Sequence, residues 1–167
     1  MKQSEIEYNG NSFLAWGYST TFFSILVYIC LRLTSNELFY ILYAGIPISA
    51  NITTILLQKG KTKSITENQV NKIWSLFGVL TLLCCIGRYY YPFPLFAVIS
   101  FLMGIETTIT GIIIKNKTVS ILGCTGILGM VSLVMLSGYE QNLILSVVFF
   151  FIAVIPGYII NHKNRIR

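Results

Sequence analysis

Uninterrupted apolar runs recur along this chain, each about 20 residues long, which is the length that crosses about 30 Å of hydrocarbon as a helix. Of the 167 residues, 54% are hydrophobic and 11% are charged, so a water-soluble domain would lack the polar side chains to cover its surface. A soluble helix would also alternate apolar and charged faces, which these runs do not. The chain is therefore predicted to be all-α, a polytopic bundle of transmembrane helices forming one domain, residues 1–167.

The apolar runs predict six transmembrane spans. Pro47 should kink the second span, and Pro156 with Gly157 should break the sixth near its end, because a proline leaves the carbonyl four residues before it without its helical donor. The polar residues 1–12 and 58–72 are too few to fold alone, and we expect a tail and a loop there. The six predicted spans are residues 13–33, 38–57, 73–87, 93–114, 118–137 and 142–160.

Basic residues are distributed unevenly between the two ends of the predicted spans. Of the 12 Lys and Arg residues, only Arg32 and Arg88 fall at the end opposite the termini. Positive charge is enriched on the cytoplasmic side of membranes, so both termini are predicted to be cytoplasmic. The lipid bilayer is then the first partner of the chain, and the residues expected to contact anionic lipid or a protein partner are Lys59, Lys61, Lys63, Lys163, Arg165 and Arg167.

The predicted fourth span carries one carboxylate, Glu106, near its middle. Counted at 1.5 Å per residue, Glu106 and Asn51 of the second span lie about 20 Å from the same membrane surface, so we expect the two side chains to face each other. Ionisable residues at such depth indicate a functional site by default, here for a proton, a cation or a polar solute. The threonines expected to share this layer or these helix faces are Thr20, Thr54, Thr81, Thr110 and Thr125.

A structural interpretation of the same layer stays open. Burying a charged acid costs about 2.5 to 3.5 kcal/mol on insertion scales, so a protonated Glu106 that donates to a carbonyl or a hydroxyl is easily reached. The threonines would then bond back to their own helical turns. Under this interpretation the layer holds the helices together and binds nothing.

The predicted fifth span has a small residue at every third position. This spacing makes a smooth groove along one side of the helix, and close approach through small residues is the usual way in which helices pack in lipid. The groove is therefore predicted to be a helix-packing face, formed by Ser120, Gly123, Gly126 and Gly129.

Several classes of chemistry lack their residues. The sequence contains no aspartate, and its one histidine, His162, follows the last span, so no serine or cysteine has a histidine base at a plausible depth. The four cysteines lie inside apolar runs without metal-ligand spacing. We expect no enzyme activity, no metal and no cofactor. Because most basic residues lie beside span ends, the net charge of +6 does not indicate nucleic-acid binding.

Two short motifs carry a resemblance. Together with the span layout, they resemble a group of small six-span proteins common in Bacteroidetes-type bacteria, a resemblance that implies the fold, a bacterial inner membrane and no particular activity. In size and topology the chain is also similar to the substrate-binding subunits of vitamin importers, although the small-xxx-small coupling motif expected in their first span is absent. The two motifs are Phe13-Leu14-Ala15-Trp16-Gly17-Tyr18 and Ile155-Pro156-Gly157-Tyr158.

The sequence supports two functional hypotheses. The first is a non-catalytic membrane protein that binds a partner or regulates one, either a protein of the same membrane or a further copy of this chain. Small size, short loops, a basic inner face and the grooved fifth span favour it. The alternative is binding or transport of a small polar solute or ion through the layer around Glu106.

Overall fold

The computed structural model describes residues 8–58 and 64–166. Within these ranges the chain is helical and contains no strand, and six stretches are long and apolar enough to cross a membrane, which confirms the all-α, six-span prediction. The elements are α1 (Asn11–Thr34), a 3₁₀ helix (Glu37–Ala44), α2 (Gly45–Gln58), α3 (Ile65–Tyr90), α4 (Leu95–Ile113), α5 (Lys117–Met135), α6 (Glu140–Phe149), a π-helical segment (Phe150–Val154) and α7 (Ile155–Ile166).

Local capping sets several helix ends. The Ser64 hydroxyl accepts a hydrogen bond from the backbone N–H of Glu67 at 3.1 Å, so α3 begins at Ile65 rather than at residue 73 as predicted. Asn116 caps α5 in the same way. At the other end of α1, Ser35 adopts a left-handed conformation, with φ of 53°, and its N–H bonds to the carbonyl of Leu31.

Both predicted irregular spans change helix type close to their prolines. The second span passes from the 3₁₀ helix to α2 at Gly45, two residues before Pro47. The sixth span widens into the π-helical segment immediately before Pro156, which lies at the start of α7. Proline supplies no donor to the preceding turn, so the backbone there adopts a different hydrogen-bonding pattern.

The spans differ strongly in how much of each is covered by the rest of the chain. The most hydrophobic part of the span Glu140–Lys163 is 56% buried, whereas the corresponding fractions are 6% for Glu37–Leu57 and 11% for Ile65–Arg88. Among the described elements, the backbone of α2 comes close to α1 and the 3₁₀ helix, and that of α3 comes close to α4. Spans two and three therefore lie at the periphery of the bundle.

The start of α1 and the end of α7 meet at one end of the bundle, which we call the terminal end. The backbone N–H of Gly10 donates to the side chain of Asn161 at 2.9 Å, and the Asn161 amide donates to the side chain of Asn11 at 2.8 Å. The first and last spans therefore reach the same membrane face. The charge distribution predicts that this face is cytoplasmic.

An apolar cluster, the terminal core, fills the bundle near this end. A second cluster around Leu133 and Phe149 fills the opposite end. Buried polar residues also lie on α1, α4 and α6, so the interior of the bundle is not uniformly apolar. The terminal core contains Tyr8, Phe13, Val70, Val119, Ala153 and Ile160, with Trp74, Ile113 and Ile114 packed against it.

Candidate functional site

Glu106 lies inside the bundle, with 1% of its surface exposed. It lies on α4 about 10 Å from the terminal end of that helix, counted at 1.5 Å per residue. Its Oε1 atom is buried and has no hydrogen-bond partner among the described residues. Buried polar atoms in folded proteins are almost always hydrogen-bonded, so an unbonded carboxylate oxygen at this depth is unusual and requires an explanation.

Thr110 lies one helical turn from Glu106 on the same face of α4. It is fully buried, and its hydroxyl also lacks a hydrogen-bond partner within the described part of the chain. Threonine in a helix commonly bonds back to the carbonyl four residues earlier, as Thr108 does to Gly104 at 2.8 Å. Thr110 does not, so its hydroxyl has no partner among the described residues on the face of α4 that carries Glu106.

The helix beside α4 contributes further unpaired polar atoms. On α3, the indole nitrogen of Trp74 and the hydroxyl of Thr81 are buried and have no partner within the described ranges. Trp74 is held in place by the ring of Phe13, whose centroid is 4.9 Å away. Because α3 packs along α4, these atoms lie on the helix next to the one that carries Glu106 and Thr110.

Two residues outside the predicted layer are buried near the terminal end. Tyr8, which precedes α1, is 3% exposed, and Glu67, in the first turn of α3, is 9% exposed. Burial raises the pKa of the Tyr8 hydroxyl above its usual value of 10.0, and the negative charges of Glu67 and Glu106 raise it further. The phenol therefore keeps its proton at neutral pH.

Thr107 connects α4 to the irregular part of the sixth span. Its hydroxyl donates to the carbonyl of Ile152 at 3.2 Å. This is the carbonyl that Pro156 cannot bond, because proline has no N–H. The contact holds the π-helical segment against α4 at the residue next to Glu106. Glu106 itself takes no part in this hydrogen bond.

The prediction that Asn51 faces Glu106 is wrong. Asn51 is exposed on α2, and its amide donates to the carbonyl of Pro47 in its own helix at 2.7 Å. In the described part of the chain α2 packs against α1, so it does not reach α4. Equal depth in the membrane places two residues at one level, but it does not make their helices neighbours.

The remaining predicted threonines do not form one cluster. Thr20 is buried on α1, whereas Thr125 is half-buried and bonds to the carbonyl of Leu122 in its own helix at 2.6 Å. Thr54 is half-buried on α2, and its hydroxyl has no partner in the residues that the structure describes. The predicted layer thus reduces to Glu106 and Thr110 on α4, with Thr81 on the adjacent helix.

The small residues of α5 face α4. A Cβ atom on Gly126 would lie 2.8 Å from the Cα of Gly104, and one on Gly129 would lie 3.1 Å from the hydroxyl oxygen of Ser100. Ser120 donates to the carbonyl of Thr108, and Thr108 also reaches the carbonyl of Ser120. This packing brings the two backbones together directly behind the face that carries Glu106.

Most of the basic residues predicted to contact lipid or a partner lie outside the described ranges or close to their ends. Lys163 is exposed near the end of α7. Lys59, Lys61, Lys63 and Arg167 lie outside the described residues, and Arg165 lies on α7 without a described side-chain environment.

Sequence reasoning missed Tyr8 and Glu67. Glu67 carried a usable signal, since Ser64 followed three residues later by Glu67 is the pattern of a helix N-terminus. That pattern predicts that α3 extends to Ser64 and that Glu67 lies on a helix of the bundle. Tyr8 offers a weaker signal, because one aromatic residue in a polar segment does not show where its ring packs.

The fold and the site together define a class: a multi-pass helical membrane protein with a buried, partly unbonded carboxylate. No protein-family model, curated protein or solved structure matches the chain. The proposed function therefore depends on the residues of the site.

Proposed function

We propose that this protein binds a small polar ligand, either a proton or a solute with a positively charged or hydrogen-bond-donating group, at Glu106 inside the membrane. The observation that carries the proposal is the unbonded Oε1 atom of a side chain that is 1% exposed. A purely structural carboxyl group would be expected to use both oxygens, because each buried unbonded group costs about 1 to 3 kcal/mol.

The surroundings of Glu106 support a ligand that donates hydrogen bonds. The Thr110 hydroxyl one turn away can donate or accept, and the carboxylate accepts. Within the described ranges no cluster of three or more metal-binding side chains is present, and a single carboxylate would leave most positions around a divalent cation to other oxygens. A proton or an ammonium group needs fewer contacts and fits this pair better.

Removal of the carboxylate charge tests the proposal. In the purified protein, a ligand present at 100 times its dissociation constant should stabilise the fold by about 2.7 kcal/mol, measured as a rise in melting temperature. The panel contains protons, supplied as buffers of stepped pH, together with alkali cations, ammonium, small organic amines and neutral polar solutes. Glu106→Gln should abolish the rise, because an amide keeps the shape but cannot pair with a positive charge.

A second glutamate provides the matched control. Glu37 is exposed at the start of the 3₁₀ helix, and Glu37→Gln should leave the rise unchanged. A panel that stabilises the Glu106→Gln protein as much as the parent protein, or that stabilises neither, would contradict the proposal.

A specific observation favours association with a second copy as a further function. Asn51 lies about 9 Å from the end of its span, counted at 1.5 Å per residue, on a face where Ile48, Ile52 and Ile55 are also exposed. An exposed amide in hydrocarbon lacks water to bond, and the Asn side chain is both donor and acceptor. A two-fold axis along α2 would pair the Asn51 amides of two copies.

Leucine at this position tests the association. Interhelical hydrogen bonds between polar side chains contribute about 1 to 2 kcal/mol in model peptides, so Asn51→Leu should weaken the dimer about tenfold. Thr53→Val, at an exposed position on another face of α2, is the control. Concentration-dependent energy transfer between labelled copies in lipid vesicles measures both. Equal dissociation constants for the Asn51→Leu protein and the control would exclude pairing through this face.

A further inference from the structure

One face of α4 carries a short polar stretch with apolar packing on both sides of it. Met103 packs against the apolar cluster at the end opposite the terminal end, and Ile113 packs against the terminal core. Glu106 and Thr110 lie between them along the helix, at spacings of three or four residues that keep all four on one face. The two apolar clusters therefore separate the unbonded oxygen of Glu106 from the water at either end of the bundle.

The side of the bundle between spans two and three is less closed than its ends. Among the described residues, no Cα atom of α2 lies within 8 Å of one in α3, and no Cα atom of α1 lies within 8 Å of one in α4. Aromatic pairs connect these helices near the two ends of the bundle, Phe13 with Trp74 at 4.9 Å and Tyr43 with Phe96 at 5.8 Å. The gap between α2 and α3, bounded by these two pairs, is called the lateral opening below.

Gly78 marks open space on the α3 side of the lateral opening. It follows Trp74 by four residues and precedes Thr81 by three, so it lies close to the helix face that carries both. A Cβ atom on Gly78 would meet nothing within 4 Å. Counted at 1.5 Å per residue from the turn that joins α3 to α4, Gly78 lies about 18 Å deep and Glu106 about 17 Å. The open space on α3 is therefore level with the carboxylate on the adjacent helix.

The borders of the lateral opening are apolar apart from a few unbonded polar groups. The large exposed side chains of α2 and α3 are mainly Ile and Leu, and the buried hydroxyls of Thr54 and Thr81 have no partner within the described ranges. A hydrophilic solute does not cross such a surface, because the lipid beside it offers no hydrogen bonds. A hydrocarbon chain does, and an ammonium group at its end can donate to the Glu106 carboxylate and the Thr110 hydroxyl.

Entry requires a helix to move, because Glu106 is covered in this structure. The span that contains α3 is 11% buried, and the backbone of α3 approaches only that of α4 among the described helices. Elements with few packed neighbours open at lower free energy than the rest of a fold. A displacement of α3 away from α1 would uncover the face of Glu106 while α4, α5 and the sixth span stay packed.

We propose that the ligand of Glu106 is a membrane-dissolved amphiphile with an amine head group, which enters from the lipid between α2 and α3. The inference rests on the proposed function, because it names the class of ligand and its route to the same carboxylate. In the bound state the ammonium group lies at Glu106 and the hydrocarbon chain extends into the lateral opening. The ammonium and carboxylate charges cancel, which is the condition under which charged groups are buried in an apolar interior.

Photolabelling in lipid tests the class of ligand. The full-length protein is reconstituted in lipid nanodiscs that contain dodecylamine with a diazirine beside its head group. Irradiation should label peptides of α3 and α4 near Glu106, as located by mass spectrometry. Glu106→Gln should lower this labelling by about tenfold or more, because the charge-assisted hydrogen bonds are lost. Glu37→Gln, at the exposed Glu37, should leave the labelling unchanged.

Two competitors separate the role of the head group from that of the chain. Unlabelled dodecylamine should displace the label, whereas methylamine and dodecanol should not. Displacement by methylamine at the same concentration as dodecylamine overturns the amphiphile and leaves the Glu106 site in place. Labelling that Glu106→Gln does not lower also overturns the inference. The proposed function fails with it only when the panel of buffers, cations and solutes shows no stabilisation that depends on Glu106.

Gly78→Phe tests the route, because a benzyl group would fill the open space at the level of Glu106. It should lower the labelling by about tenfold, the effect of overpacking a space that the bound chain needs. Leu83→Phe is the control, since Leu83 is exposed on the side of α3 opposite Trp74. Labelling of Gly78→Phe equal to that of Leu83→Phe overturns entry between α2 and α3.

Discussion

Gly123→Ala should destabilise the bundle by about 3 kcal/mol, the upper part of the range for overpacking a well-packed core. A Cβ atom at this position would overlap the Thr108 hydroxyl and would lie 2.5 Å from the Thr108 backbone nitrogen and 2.7 Å from the carbonyl oxygen of Gly104. Two of these three atoms are backbone, so they cannot move aside by a change of rotamer. The helices α4 and α5 would have to separate, which would also stretch the hydrogen bond from Ser100 to the carbonyl of Gly126, now 2.7 Å.

Gly78→Ala is the matched control for this prediction. A Cβ atom on Gly78 of α3 would meet nothing within 4 Å. The same change there should stabilise the helix by up to about 1 kcal/mol, because alanine has the higher helix propensity. Denaturant or thermal unfolding of the detergent-solubilised protein measures both variants, and equal melting temperatures would show that the close approach of α4 and α5 is not present in solution.

Asn142→Leu should cost about 1 to 3 kcal/mol, because it leaves the half-buried Tyr43 hydroxyl with only the more distant Ser24 hydroxyl, at 3.4 Å, as an acceptor. Asn142 is fully buried near the start of α6, and its side-chain oxygen accepts a hydrogen bond from the Tyr43 hydroxyl at 2.7 Å. Its amide donates to the carbonyl of Tyr139 at 2.9 Å. The residue thereby joins the 3₁₀ helix of span two to span six, in a part of the bundle remote from Glu106.

A double-mutant cycle separates the loss of the hydrogen bond from the change in side-chain shape. In Tyr43→Phe combined with Asn142→Leu, neither member of the pair remains, so the stranded hydroxyl is absent. The double variant should therefore lose less stability than the sum of the two single variants, with a coupling of about 0.5 to 3 kcal/mol. Strict additivity in unfolding measurements would mean that the Tyr43 hydroxyl does not depend on Asn142.

Hydropathy and proline placement predicted the class and the irregular spans, because lipid forces each span to satisfy its own backbone. The start of α3 was misplaced because a hydropathy window detects apolar residues only, whereas the helix starts at the cap formed by Ser64. The same cap places Glu67 beside the bundle. The four-residue pattern from Ser64 to Glu67 therefore locates the start of α3, which a hydropathy window of 20 residues cannot do.

The candidate site was only partly predictable for a geometric reason. A carboxylate in the middle of an apolar run is visible in the sequence, and Glu106 is buried in the structure. Its neighbours depend on which helices pack together and how each is rotated about its axis. Depth arithmetic contains neither quantity, so it selected Asn51, which is exposed.

The joining of the first and last helices has a consequence for synthesis of the protein. The hydrogen bond between Gly10 and Asn161 spans 151 residues of sequence. During translation the start of α1 therefore waits for its acceptor until the sixth span has left the ribosome. We expect nascent chains that end before residue 161 to leave the beginning of α1 exposed to protease, and the complete chain to protect it, because closing such a distant contact is a late event in assembly.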